Sequence, residues 1–342
     1  MRPVILFLAL VASAFAAAAE DFSWMVPLND LRGAPYRWGY YGGLYEDGSN
    51  VMAGDHFAAG MARAAKIQPL DADGNPSANG KIVFLAGGAG EAARIMESFK
   101  SIAAGDVRVN HDDLVIINAA HDGADYRFWA ERPGGFPRYD IVNSTAVIPS
   151  GVSPKQVQVA WLQMVLDRPG DTLGIANADA YRLKTHIAET LREIQRQYPN
   201  LQIVYLSSRV YGGYSQVGIN PEPYAYETGL SNRWIITDQM EQARMEVPEW
   251  HHDQRVGLID YRRGIAPWVA WGPYMWANGA TAREDGLAWF RGDFEADGET
   301  LSPSGAVKGG KMLFDFLLHE PTAKGWFRSG VEPPAKGRAA RH

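Results

Sequence analysis

The chain has 342 residues, no cysteine, a formal net charge of −6, and eleven tryptophans beside fifteen tyrosines. The lack of cysteine excludes disulfides, cysteine nucleophiles and thiolate metal sites together. The acidic balance, with no basic cluster beyond KGRAARH at 336–342, excludes the concentrated cationic surface that nucleic acid requires.

Residues 1–19 read as an export signal: Arg2, an unbroken apolar run, then small residues that suit cleavage after Ala16 or Ala19. The run is shorter than the roughly 20 residues of a membrane anchor and ends in alanines. A secreted or periplasmic destination follows, with no membrane attachment after cleavage. No linker, charge block or repeat divides 20–330, so one domain is expected there, with a flexible basic tail over 331–342.

Along the chain, a Gly/aromatic loop (36–50) precedes a short helix over 55–70, marked by Phe57, Met61 and Ala65. DADGNPSANG, at 71–80, is turn chemistry. A strand over 81–87 and a helix over 91–104 follow, then strands at 114–120 and 156–165. A long helix from 180 to 198 carries Leu183, Ile187, Leu191 and Ile194 on one face. A strand over 200–209, a helix over 231–243, a short strand over 268–272 and a helix over 303–321 complete the pattern. Apolar strands without polar alternation, interleaved with helices, predict a parallel sheet covered on both faces. Sites of such sheets lie beyond the strand C-terminal ends. Attention therefore falls on 87–91, 121–125, 207–214 and the late loop 294–305.

The first of these places is a strand-to-helix corner, where many α/β hydrolases hold a nucleophilic serine or cysteine. Here it reads Gly87, Gly88, Ala89, Gly90, Glu91. It has the form of a nucleophile's seat without a nucleophile.

Several stretches, among them YYGGLYEDGSN, QVQVAWL, YPNLQIVYLSSRVYGGY, NPEPYAYETG, VAWGPYMWANG and FEADGETLSPSG, resemble the SGNH (GDSL-like) hydrolase superfamily, in particular a secreted bacterial SGNH-like branch. The resemblance implies a three-layer α/β/α sandwich with a mainly parallel, SGNH/flavodoxin-like sheet. It also implies a serine after the first strand, glycine and asparagine oxyanion donors, and a late Asp-x-x-His. Matched onto this chain, the serine falls at about Gly90, the glycine within His121–Gly123 and the asparagine near Leu166. Asp297 is kept, but Thr300 stands where histidine would be. Loss of nucleophile, base and oxyanion amide together disfavours ester hydrolysis.

The replacements are acidic. Glu91, Asp122, Asp297 and Glu299, with His121, are the candidate catalytic groups: Glu299 as acid and Glu91 as base or nucleophile, in the manner of a glycosidase carboxylate pair. Each also has a plain reading, Glu91 as a first-turn helix residue and the late acids as a solvated turn. A divalent cation such as Ca²⁺ held by these carboxylates and His121 is the lesser alternative, without a tight ligand spacing. No cofactor and no metal are otherwise expected, and the neighbouring His251 and His252 make a poor single-metal pair. Arg209, Tyr211, Tyr226, Glu227, Trp271 and Tyr274 form the expected carbohydrate wall, unless the aromatics are core and Arg209 pairs internally with Glu227 or Asp238. Three functions stay open: a secreted enzyme cleaving glycosidic bonds by carboxylate, His or Tyr acid/base chemistry; a non-catalytic glycan-binding descendant; and a polysaccharide lyase on uronic acids or a carbohydrate esterase with its nucleophile elsewhere.

Overall fold

A computed structural model describes residues 22–130, 138–244 and 253–330. The expected export signal, the basic tail, and His251 and His252 lie outside the described residues.

Five strands, β1 (Ile82–Gly88), β2 (Leu114–Asn118), β3 (Val157–Gln163), β4 (Ile203–Leu206) and β5 (Trp268–Trp271), form one parallel sheet in the order β2-β1-β3-β4-β5. This is the doubly wound, flavodoxin-like order, and the α/β/α sandwich expected from the sequence is present. Strand side chains alternate between two cores. Leu85, Ala160, Val204 and Val269 lie in register on one face. There they meet α6 (Asp179–Gln197) and α7 (Tyr224–Arg244), through residues such as Leu183, Ile187 and Ile235. Phe84, Trp161, Tyr205 and Trp268 face the other way, toward α3 (Gly90–Ala104) and α8 (Pro303–His319). All four are fully buried, at roughly 1.5–3 kcal/mol for each large apolar side chain relative to exposure.

The helix α2 (Gly54–Ala64) rests on the same face as α3, with its Gly60 against the Trp268 ring; a Cβ there would come within 2.4 Å. At Gly310 a Cβ would stand 2.8 Å from the Phe99 backbone nitrogen, so α8 approaches the backbone of α3. That approach carries the loop before α8, residues 294–302, over the C-terminal end of the sheet.

The main differences from the expected elements are at ends. α7 starts at Tyr224 instead of 231, because Gly229, which reads as a loop residue, is needed where α7 passes Leu28 and Tyr274; a Cβ would meet them at 2.9 and 3.1 Å. The last helical stretch divides at Glu320, whose side chain accepts from Thr322 N–H (3.2 Å) and starts α9 (Pro321–Phe327) with proline in its first turn. Three four-residue helices, α1 (Leu28–Leu31), α4 (Tyr126–Trp129) and α5 (Tyr139–Val142), are too short to leave a periodic signal.

Candidate functional site

β1 ends in glycines and turns into α3 at Ala89, so Gly90 and Glu91 open the helix at the edge of a cleft of about 400 Å³. Asp122 and Gly123 from the loop after β2, Gln163 and Val165 from the end of β3, Arg209 beyond β4, Ile219 and Asn220 from the next loop, and Glu299, Thr300 and Leu301 from the late loop complete the wall, with Arg94 of α3. The strand C-terminal ends have thus brought together the four places expected from the sequence.

The centre of the site is a buried ion triad. Arg209 donates through Nε (3.1 Å) and Nη2 (2.7 Å) to Glu91 Oε2, and through Nη1 (2.6 Å) to Glu299 Oε1. Side-chain exposure is 6% for Arg209 and 8% for each glutamate. Burial alone would favour loss of the guanidinium charge, but Glu91 and then Glu299 hold the Arg209 pKa above its ordinary value. Glu91 Oε1 in turn accepts from Gln163 Nε2 (2.7 Å) and the Val210 N–H (3.2 Å). Glu91 therefore receives four donors, which fix its carboxylate in place. Glu299 differs: its Oε2 is buried and meets no hydrogen-bond donor among the described residues. The same is true of Asn220 Oδ1, on a side chain whose Nδ2 donates to the Leu166 carbonyl (3.0 Å).

Asp122 stands over the empty seat. Its side chain is 84% exposed, 3.6 Å from Arg94 Nη1, and a Cβ built on Gly90 would fall 1.9 Å from its Oδ1. Asp297 is outside the cleft wall and shapes the loop: Oδ1 accepts from the Glu299 and Thr300 N–H groups (2.9 Å each), and Oδ2 accepts the Thr300 hydroxyl (2.7 Å). Burial opposes its charge, but these donors outweigh it and lower its pKa. His121 is exposed, with its ring edge-on to Phe128 at 4.6 Å, and does not line the cleft.

The expected carbohydrate wall separates into other parts of the molecule. Arg209 pairs internally, with Glu91 and Glu299 instead of Glu227 or Asp238. Tyr226, fully buried, donates its hydroxyl to the Val26 carbonyl (3.0 Å); Trp271 donates to the Leu44 carbonyl (2.5 Å); Tyr274 accepts the Leu28 N–H (3.2 Å). These three buttress the N-terminal segment. Glu227 accepts the Thr172 hydroxyl (2.6 Å) and the Leu173 N–H (3.2 Å), and burial pushes its pKa up to about 7. Tyr211 lines a different cleft with Tyr214 and Glu222.

Sequence reasoning missed Gln163, Asn220, Arg94, Ile219 and Leu301. Gln163 left a weak signal, as a polar residue at the C-terminal end of a strand whose other polar residue, Gln158, lies near its start; Asn220 and Ile219 left none, since their loop folds back from a distance. Ser207 and Ser208 offer no hidden nucleophile: Ser207 accepts from Trp161 Nε1 (2.9 Å) and Ser208 from the Met275 N–H (3.1 Å), both buried. No group of three or more His, Asp or Glu side chains able to hold a metal occurs among the described residues. Nor is any helix among them long and apolar enough to cross a membrane.

No family model and no curated protein matches the chain. Among solved structures, the chain is similar to the periplasmic domain of a lipopolysaccharide acetyltransferase from Salmonella ser. Paratyphi A, with 14% identity, 70% of this chain and 83% of that chain covered, and a TM-score of 0.34. It is also similar to a carbohydrate esterase family 2 enzyme with a carbohydrate-binding domain from Corynascus thermopiles (Myceliophthora fergusii), with 12% identity, coverage of 73% and 68%, and a TM-score of 0.36.

Proposed function

We propose that the chain is a carbohydrate-binding protein on an SGNH-like scaffold, in which the hydrolytic corner has become a ligand pocket. The observation that carries this reading is the pair of buried acceptors, Glu299 Oε2 and Asn220 Oδ1, in a cleft wall that contains no serine or cysteine among the described residues. Gly90 cannot attack, Leu166 cannot donate to an oxyanion, and the Thr300 hydroxyl is spent on Asp297. An oxyanion forming beside Glu299 and Asp122 would be repelled where an esterase would stabilise it. The elimination reading finds no free cation at Arg209, whose Nε, Nη1 and Nη2 are engaged by the two glutamates.

Acceptors lacking donors call for a hydroxyl-rich ligand, because a buried polar group left unpaired costs about 1–3 kcal/mol. Ile219, Val165 and Leu301 add apolar surface suited to the C–H faces of a sugar ring, and the volume lies within the usual range for small-ligand sites. Calorimetric titration with oligosaccharides tests the reading. Binding that disappears in Ile219→Trp, which fills the cleft from its exposed rim, is expected; absence of binding to any oligosaccharide would refute it.

A second reading, glycosidic cleavage, is favoured by the same free Oε2. Glu299 would act as acid and Asp122, at the vacated corner, as base, since Glu91 is fully occupied. Reducing ends released by the wild type and lost in both Glu299→Gln and Asp122→Asn would establish it.

A further inference from the structure

We infer that the ligand of this cleft carries an ammonium group, as an amino sugar with a free amine does. The inference rests on the carbohydrate-binding reading and adds the charge of the sugar. Three carboxylates, Glu91, Asp122 and Glu299, line the cleft against two guanidinium groups, Arg94 and Arg209. The buried part of this set is Glu91–Arg209–Glu299, two negative charges on one positive. Its surplus is localised. Glu91 shares both oxygens among four donors, whereas Glu299 leaves Oε2 without one, on a side chain more than nine-tenths buried.

A buried carboxylate oxygen with no donor needs a proton donor, and a net negative buried cluster needs a cation. An ammonium meets both needs with one group, because it brings three N–H donors and a positive charge. The amide of Asn220, with its own unpaired Oδ1 on the same wall, can take a second N–H or a neighbouring hydroxyl. A bare divalent cation fits less well, since Glu299 Oε2, Asn220 Oδ1 and the two Asp122 oxygens together fall short of the six to eight oxygens that calcium takes. An N-acetylated amine keeps one N–H, loses the charge and adds bulk, so the site should discriminate against it.

The test is calorimetric titration of the full chain with four ligands: a glucosamine trisaccharide, its N-acetylated counterpart, a neutral glucose trisaccharide, and ethanolamine as a sugar-free ammonium. The expected result is that the glucosamine trisaccharide binds at least about tenfold more tightly than the other two sugars. Glu299→Gln should erase that preference, and Ile219→Trp should abolish binding to all sugars. Because Arg209 keeps Glu91 in Glu299→Gln, that variant should retain its fold, checked by circular dichroism, while Ile219→Trp leaves the triad untouched. Equal affinity for the three trisaccharides would overturn the ammonium and leave the carbohydrate pocket standing. Binding of ethanolamine alone, dependent on Glu299, would keep the cation site and overturn the carbohydrate. Silence from all four ligands would overturn both.

Discussion

Replacing Arg209 with alanine is the most informative change, because the triad is not symmetric about its members. Arg209→Ala strands Glu91 and Glu299 in a region where each side chain is only 8% exposed. Removing the cation of a buried pair costs about 3–5 kcal/mol, since an uncompensated buried charge remains. Here two carboxylates are left facing each other, so the upper part of that range is expected. At this chain length 1 kcal/mol lowers the melting temperature by roughly 2 °C, so about 4–5 kcal/mol gives a fall of roughly 8–10 °C by calorimetry at neutral pH. Glu299→Gln is the control: Arg209 keeps its two bonds to Glu91, and the amide oxygen can still accept from Nη1. Its stability should lie within about 1 kcal/mol of the wild type. A triple change, Glu91→Gln, Arg209→Met and Glu299→Gln, should recover most of the loss by removing the charges together. If Arg209→Ala melted within about 1 kcal/mol of the wild type, or Glu299→Gln were equally damaging, the triad would not be the pivot described.

Other consequences can be checked separately. A fluorophosphonate probe should label no serine, and Gly90→Ser alone should not change that, since its Cβ must displace Asp122 and no histidine lines the cleft among the described residues; labelling of either protein would contradict this. Burial pushes Glu222 and Glu227 each up to about 7 in the folded state, so the native chain holds more protons than the unfolded chain between the ordinary glutamate range and pH 7. Stability from these groups is full below the unfolded pKa and is lost as pH rises to about 7. Urea midpoints should fall from pH 5 to 7.5, and Glu227→Gln should flatten that fall; an unchanged slope would contradict the assignment. Gly310→Val should cost more than Gly309→Val, because the first meets the Phe99 backbone and the second meets the Ile95 side chain, which can shift; thermal unfolding decides it.

Much of the scaffold was legible because its signals are local. The apolar runs of β1, β3 and β4, and the 3.6-residue stripe of Leu183, Ile187 and Leu191, record burial directly. Of the candidate set Glu91, Asp122, His121, Asp297 and Glu299, the cleft wall holds Glu91, Asp122 and Glu299, at loops that follow strand C-terminal ends, whereas Asp297 and His121 lie outside it. The pairing within the cleft was not legible. Arg209 lies 118 residues from Glu91 and 90 from Glu299, and nothing in its neighbourhood distinguishes a guanidinium turned inward from one offered to a ligand. The same limit applies to Tyr226, Trp271 and Tyr274, whose polar tips find backbone partners in the N-terminal segment. An amphipathic aromatic reads alike whether it buttresses a loop or faces a sugar.

On the proposed function, the cleft binds its ligand without breaking a bond. Incubation of the full chain with an equimolar glucosamine oligosaccharide and its O-acetylated form, followed by mass spectrometry of all recovered ligand, tests it most directly. Both should be recovered with length and acetylation unchanged, while bound to the wild type and released by Ile219→Trp. Shortened or deacetylated products formed by the wild type and lost in Glu299→Gln would contradict it.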